Sequence, residues 1–282
     1  MASKGLLEMA QRIPRKVVYV LTLLVVIIPL FFPWNLPIAV SPETQIMFDH
    51  IEALRGTGKR VLFLCDAGAK FWGELHHSYF AVIQHIFLME DVKLMIAPID
   101  KPDTVALMHS LLSTISNPLN KEYGVDYVQL PLIPSMEPAI GSLIANFRAA
   151  YTVDESGTPI DELPVFDGVN TLEDFEIILW SEAIKWSPAA ARLIYPTFPD
   201  ITYFVLCNAE GYVFCAAYIG VGMPYTSGLV GMRPAAEYQT LYGGPYTKAV
   251  AQMDAISGYH LLGIALIILG NLALLGKKLG VK

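Results

Sequence analysis

An apolar stretch near each end of the chain carries no charged residue. Residues 17–34 read VVYVLTLLVVIIPLFFPW, and residues 259–275 read YHLLGIALIILGNLALL. Each approaches the ~20 residues that a helix rising ~1.5 Å per residue needs to cross a bilayer core. Both are apolar on every side rather than along one stripe, which predicts membrane helices instead of amphipathic surface helices. A cleaved leader would also begin with a basic segment and an apolar run, and Ala39-Val40-Ser41 loosely fits a processing site. The run is long for that role, so an uncleaved anchor is the expectation. Trp34, Tyr246 and Tyr259 border the two stretches, where aromatic rings favour the lipid–water boundary.

Between these stretches the pattern changes. Short continuous apolar runs closed by turn residues predict buried strands over 61–65, 92–97, 126–130, 176–180 and 201–207, with a last short strand at 229–232. Leu75, Tyr79, Val82, Ile83, Ile86 and Phe87 recur at helical spacing and predict a helix over 74–89. Pro102 opens another through about residue 115, since proline is tolerated in a first turn. Residues 139–150, 187–195 and 234–242 read as further helices. Residues 153–170, rich in Gly, Pro and acids, read as a long surface loop.

Strands alternating with helices imply a mostly parallel sheet covered on both faces. The fold class is therefore α/β: a Rossmann-like, three-layer domain over residues 41–257, flanked by two transmembrane helices at 17–34 and 259–275. Tails at 1–16 and 276–282 complete the chain. Residues 212–228 (YVFCAAYIGVGMPYTSG) are ambiguous: a helix against the membrane, a lip, or a subunit contact. Gly220, Gly222 and Pro224 interrupt that run and argue against a third crossing.

Charge orients the chain. Lys4, Arg12, Arg15 and Lys16 precede the first apolar stretch, and Lys277, Lys278 and Lys282 follow the second. Basic residues beside a span favour the cytoplasmic side, so both termini are expected inside and the middle outside the cell membrane. Seven of the 19 basic residues and one of the 26 acidic residues lie in the two tails, which leaves the middle at −13. So acidic a surface repels phosphate backbones, and no nucleic-acid partner is expected. The expected partners are the lipid bilayer and either further copies or other membrane subunits. Gly263, Gly270 and Asn271 are candidate helix contacts within the second span, because small residues permit close approach and an amide can bond across helices. The three cysteines, Cys65, Cys207 and Cys215, sit in apolar runs and read as buried thiols in preference to a bridge.

In open α/β sheets, ligands bind beyond the carboxyl ends of the strands. Asp66, Asp100, Glu182 and Asn208 are placed at or just past those ends and are the candidate ligand-binding residues. Carboxylates gathered there can act as acid and base, although Asp and Asn also favour such loops as caps. The first strand is followed by Cys65-Asp66-Ala67-Gly68-Ala69-Lys70, which has neither GxGxxG nor GxxxxGK[ST]; no nucleotide cofactor is expected. Glu74 and His77 have the spacing for one metal ion, but Cys/His zinc spacing and HExxH are absent, and solvated or capping roles are expected for these helix residues. No GxSxG elbow occurs.

The expected function is a membrane-anchored, extracytoplasmic interaction or assembly module, homo-oligomeric or an accessory subunit of a membrane complex, rather than an enzyme. Two alternatives remain open: a small-molecule binding domain with its site at the strand carboxyl ends, and an envelope hydrolase or transferase using Asp66, Asp100 or Glu182.

Overall fold

The computed structural model describes residues 14–183, 187–243 and 248–278. Lys4, Arg12, Tyr246 and Lys282 lie outside the described residues. The chain divides into two compact units, residues 1–37 with 246–282, and residues 38–245.

The larger unit is built on six strands: β1 (Arg60–Cys65), β2 (Lys93–Pro98), β3 (Tyr127–Gln129), β4 (Ile177–Glu182), β5 (Thr202–Cys207) and β6 (Tyr225–Val230). They lie in the order β3-β2-β1-β4-β5-β6, and every neighbouring pair is parallel. This is the strand order of open doubly wound sheets, in which the chain winds outward from β1 in one direction and then returns to β4 to wind in the other. Side chains alternate across the sheet. Val61, Phe63 and Cys65 of β1 therefore join one core cluster, and Leu62 and Leu64 the other.

The first cluster is covered by α2 (Pro42–Glu52), α3 (Ala69–Phe87), α4 (Pro102–Leu119) and α9 (Met232–Tyr242). The second is covered by α5 (Met136–Ala145), α6 (Phe147–Ala150), the segment that follows them, and α8 (Ala209–Gly220). Between β4 and β5 runs a short helix, α7 (Ser187–Ala189), which continues as a wider turn over Ala190–Ile194. Helices thus flank both faces of a six-stranded parallel sheet, consistent with a three-layer α/β arrangement.

Four elements differ from the sequence expectations. Residues 153–170 are not a surface loop: Ile160, Leu163, Val165, Phe166 and Val169 are buried, and two short 3-10 turns, Ile160–Glu162 and Pro164–Phe166, carry them into the core. The polar residues between them set the composition, but the apolar ones decide the placement. The ambiguous stretch 212–228 resolves into most of α8, a turn and the first four residues of β6, so the last strand begins four residues before its expected start. α2 has no counterpart among the expected helices; its N-terminus is capped not by its own Ser41 side chain but by Glu237 of α9, whose Oε2 accepts from Ser41 N at 2.9 Å, Ser41 Oγ at 2.7 Å and Thr44 Oγ1 at 3.0 Å. His77 of α3 is buried rather than solvated, and His85 two turns further on is buried with it. His85 lies between the Tyr238 hydroxyl, 2.8 Å from its Nδ1, and Glu52, 2.7 Å from its Nε2.

The smaller unit pairs α1 (Arg15–Phe31) with α10 (Lys248–Lys278). Among the described residues one helix, Lys248–Gly276, is long and apolar enough to cross a membrane by length and composition, which corrects the expectation of two. α1 has 17 residues. At ~1.5 Å per residue it rises roughly 26 Å, short of a hydrocarbon core of ~30 Å. It stops early because Pro33 offers no N–H and disfavours helical geometry at Phe32, whose φ of −133° has already left the helix. α10 instead begins eleven residues before the expected start of the second span and takes in Asp254, which is fully buried. The Asp254 carboxylate accepts three backbone N–H groups, from Trp34 and Asn35 at 2.8 Å and from Leu36 at 3.0 Å. One turn further on, Gly258 lets Val25 and the Trp34 ring approach so closely that a Cβ there would lie 2.7 Å from the indole.

Candidate functional site

The strand order reverses between β1 and β4, where neighbouring crossovers leave in opposite directions, and it is beyond the carboxyl ends of such a pair that open sheets bind ligands. Asp66 follows β1 directly and is 1 % exposed. Its Oδ1 accepts from Ser181 Oγ of β4 at 2.7 Å, and the Ser181 hydroxyl in turn contacts the hydroxyl of Tyr79 on α3. Ser181 has one proton to give. With that proton on Asp66, Tyr79 must donate to Ser181, which orders the three groups as Tyr79 to Ser181 to Asp66.

Burial pushes the Asp66 carboxyl up to about 7; the Ser181 hydrogen bond opposes this, Glu182 adds to it, Lys101 opposes it and Asp100 adds to it. Asp66 can therefore gain or lose a proton near neutrality. Burial likewise holds the Tyr79 phenol well above its ordinary value, so the relay starts from a protonated hydroxyl. The second oxygen of Asp66, the indole Nε1 of Trp180 and the hydroxyl of Tyr151 are all buried with no hydrogen-bond partner among the described residues. Unmet polar capacity of this kind costs about 1–3 kcal/mol per group.

The other candidate residues have separate roles. Glu182 is not past the strand but is its last residue, and it is fully buried. Its carbonyl oxygen would lie 2.3 Å from a Cβ at position 211, which is why the first turn of α8 needs Gly211 there. Asp100 follows β2 with a φ of 66°, a left-handed conformation that Asp tolerates, and pairs with Lys101. Asn208 is the N-cap of α8, its side chain accepting from Gly211 N at 2.8 Å. Asp66 and Glu182 thus sit together at the switch point, with Asp100 and Lys101 close enough to act on the Asp66 charge. Asn208 serves its own helix. A methyl group placed at Gly263 or Gly270 would meet nothing within 4 Å, and Asn271 is exposed, so in this chain Gly258 makes the close helix contact instead.

Nothing in the sequence singles out Ser181 or Tyr79. A serine inside an apolar strand and a tyrosine on an apolar helix face carry no local mark of function. Glu74 is also not a metal ligand in this arrangement: its Oε1 accepts from Ala209 N at 2.8 Å, capping α8 from a neighbouring element. Asp103 does the same for α3, accepting from Ala69 N at 2.5 Å. Helix N-termini at this edge of an open sheet are the usual phosphate sites. Here the chain's own carboxylates hold them, and a phosphate group would meet like charge. Among the described residues no group of three or more His, Cys, Asp or Glu is arranged to hold a metal ion. Compared with protein-family models, with curated proteins and with solved structures, the chain matches none of them.

Proposed function

We propose that this protein is a membrane-anchored, extracytoplasmic α/β assembly module, held to the bilayer by α10, that self-associates through α8. The exposure of α8 carries this reading. A helix that is apolar all round belongs in a core or against another apolar surface, and of α8 only Gly211 and Cys215 are buried. Val213 is 75 % exposed, with Tyr212, Phe214, Val221 and Met223 exposed around it. A patch of this kind on a folded unit marks an interaction surface. Beside it, a groove of about 570 Å³ runs between Ile46 of α2, Ile219 of α8 and the outer side of β6 at Ser227 and Gly228. β6 is the edge strand of the sheet on this side.

The occupant proposed is a second copy. Ala216, Ala217 and Gly220 offer small residues on the same helix, so two such helices can approach closely. Gly270 and Asn271 on α10 are exposed and are separate candidate contacts between membrane helices. Bilayer and sister chain are thus the partners, and nucleic acid is disfavoured by the acidic middle section. The test is the mass of the detergent-solubilised particle. The unmodified chain should run as an oligomer, and Val213→Glu, which removes no internal packing, should shift it to the monomer. A monomeric unmodified chain would refute the reading, and a stoichiometric complex with a different subunit would replace the sister chain by that subunit.

The unpartnered oxygen of Asp66 favours a second reading, a small polar ligand bound at the β1–β4 switch point. A thermal-shift screen of hydrogen-bonding metabolites would support it if one stabilised the unmodified chain and failed to stabilise Asp66→Asn.

A further inference from the structure

The geometry points to Cys207 and Cys215 as a dithiol–disulfide pair whose oxidation staples α8 to the sheet. Cys207 ends β5 and Cys215 lies in the second turn of α8. Their sulfurs are 3.4 Å apart, both side chains are fully buried, and both are free thiols in the structure. Cys65, the third thiol, makes no such contact and stands as an internal control. Cys215 is one of only two buried residues of α8, so the two sulfurs meet where the helix is buried against the sheet, with Tyr218 and Ile219 packed partly buried beyond them.

The exposure of most of the remaining α8 residues gives an oxidant its route. An element with few buried contacts opens locally at small free-energy cost. In the opened state the Cys215 thiol loses its proton and its thiolate attacks one sulfur of a small-molecule disulfide, which breaks and releases one thiol. The Cys207 thiolate then attacks Cys215 in the mixed disulfide and releases the second thiol. Two S–H bonds are lost, one intrachain S–S bond forms, and the small disulfide leaves reduced, carrying both electrons and both protons. Cys215 rides on the helix that opens and so meets the small disulfide first, while in the closed chain the Cys215 thiol and burial push the Cys207 thiol up. This inference goes beyond the assembly reading, since the exchange needs neither a second copy nor a particular compartment. If the domain stands outside the cytoplasm, the disulfide is the resting form and presents α8 already ordered for docking.

The experiment is a redox titration of the full-length protein in detergent with oxidised and reduced glutathione, followed by denaturation, alkylation and mass spectrometry. Cys207 and Cys215 should lose alkylation together as the buffer becomes oxidising, regain it together on reduction, and leave Cys65 alkylated throughout. Hydrogen exchange of the α8 amides should slow on the order of tenfold in the oxidised form. Cys215→Ser should abolish both changes, and Cys65→Ala should leave both intact. Persistence of the dithiol at every buffer ratio, or glutathione retained on either sulfur in place of the intrachain bond, would overturn the proposal. The same alkylation on chains trapped in cells separates the two readings: a dithiol there, with a normal titration in vitro, refutes the extracytoplasmic placement and leaves the pair standing.

Discussion

Asp66→Asn should abolish a specific pH dependence of stability. The Asp66 carboxyl is pushed up to about 7 in the folded chain, against ~3.9 in an unfolded one. The folded state therefore binds the proton more tightly, and its advantage is complete below the unfolded value and vanishes as pH rises through the folded one. At about 1.4 kcal/mol per pH unit the full span is about 4 kcal/mol, of which roughly 2–3 kcal/mol falls between pH 5 and pH 8. The direction is the reverse of an ion-paired carboxylate, which stabilises at high pH. Asn reproduces the neutral carboxyl: its oxygen accepts from Ser181, and its amide occupies the position of the unpartnered oxygen. Urea unfolding of the detergent-solubilised chain, followed by tryptophan fluorescence, measures the difference. With a slope of ~2–3 kcal/mol per molar urea, the unmodified protein should lose about 1 M in midpoint relative to Asp66→Asn between pH 5 and pH 8. Other titrating groups, His85 among them, move both proteins equally. Midpoints that stay a constant distance apart across this range would refute the claim that Asp66 is protonated in the folded chain near neutrality.

Two further outcomes follow from close contacts in the larger unit. Glu237→Ala leaves the Ser41 and Thr44 donors without their acceptor and should cost about 3–5 kcal/mol, read as a lowered urea midpoint. Burial works against the Glu237 charge, but the Ser41 side chain and backbone, Thr44 and Arg233 hold it below its ordinary value, so its contribution should fade on acidification below the normal carboxylate range and be missing from the variant. Gly211→Ala would bring a methyl against the Glu182 carbonyl and should destabilise by about 1–3 kcal/mol, with hydrogen exchange faster at α8 than at β1; an unchanged midpoint would mean the helix shifts freely at that point.

The strands are legible because buried parallel strands are written as continuous apolar runs, and Val61–Cys65 or Ile177–Trp180 allow little else. The start of β6 is hidden because Thr226, Ser227 and Gly228 lack the bulk that marks a strand; Gly228 is small because Val205 of the neighbouring strand lies against it. α2 is invisible in the pattern because only Thr44, Met47 and Ile51 of its eleven residues are buried, too few to impose a period. Asp66 is legible as a strand-end residue, since the fold alone makes that edge special. Its partners are not: Ser181 reaches it across 115 residues of sequence, and Tyr79 meets Ser181 across 102, a relation that no local pattern encodes. Asp254 reads as part of the return path to the second span, because a lone carboxylate beside an apolar run looks like the run's boundary rather than its anchor.

The grip of Asp254 on residues 34–36 has an architectural consequence. The strand of chain leaving α1 is clasped against the first turns of α10, so the helical pair is closed at its base by its own hydrogen bonds. The more than two hundred residues in between are then an insertion into a hairpin that does not depend on them for closure. A short glycine-rich turn substituted for that insertion should leave a hairpin that still assembles, and other domains grafted at the same junction would inherit a ready-made mooring.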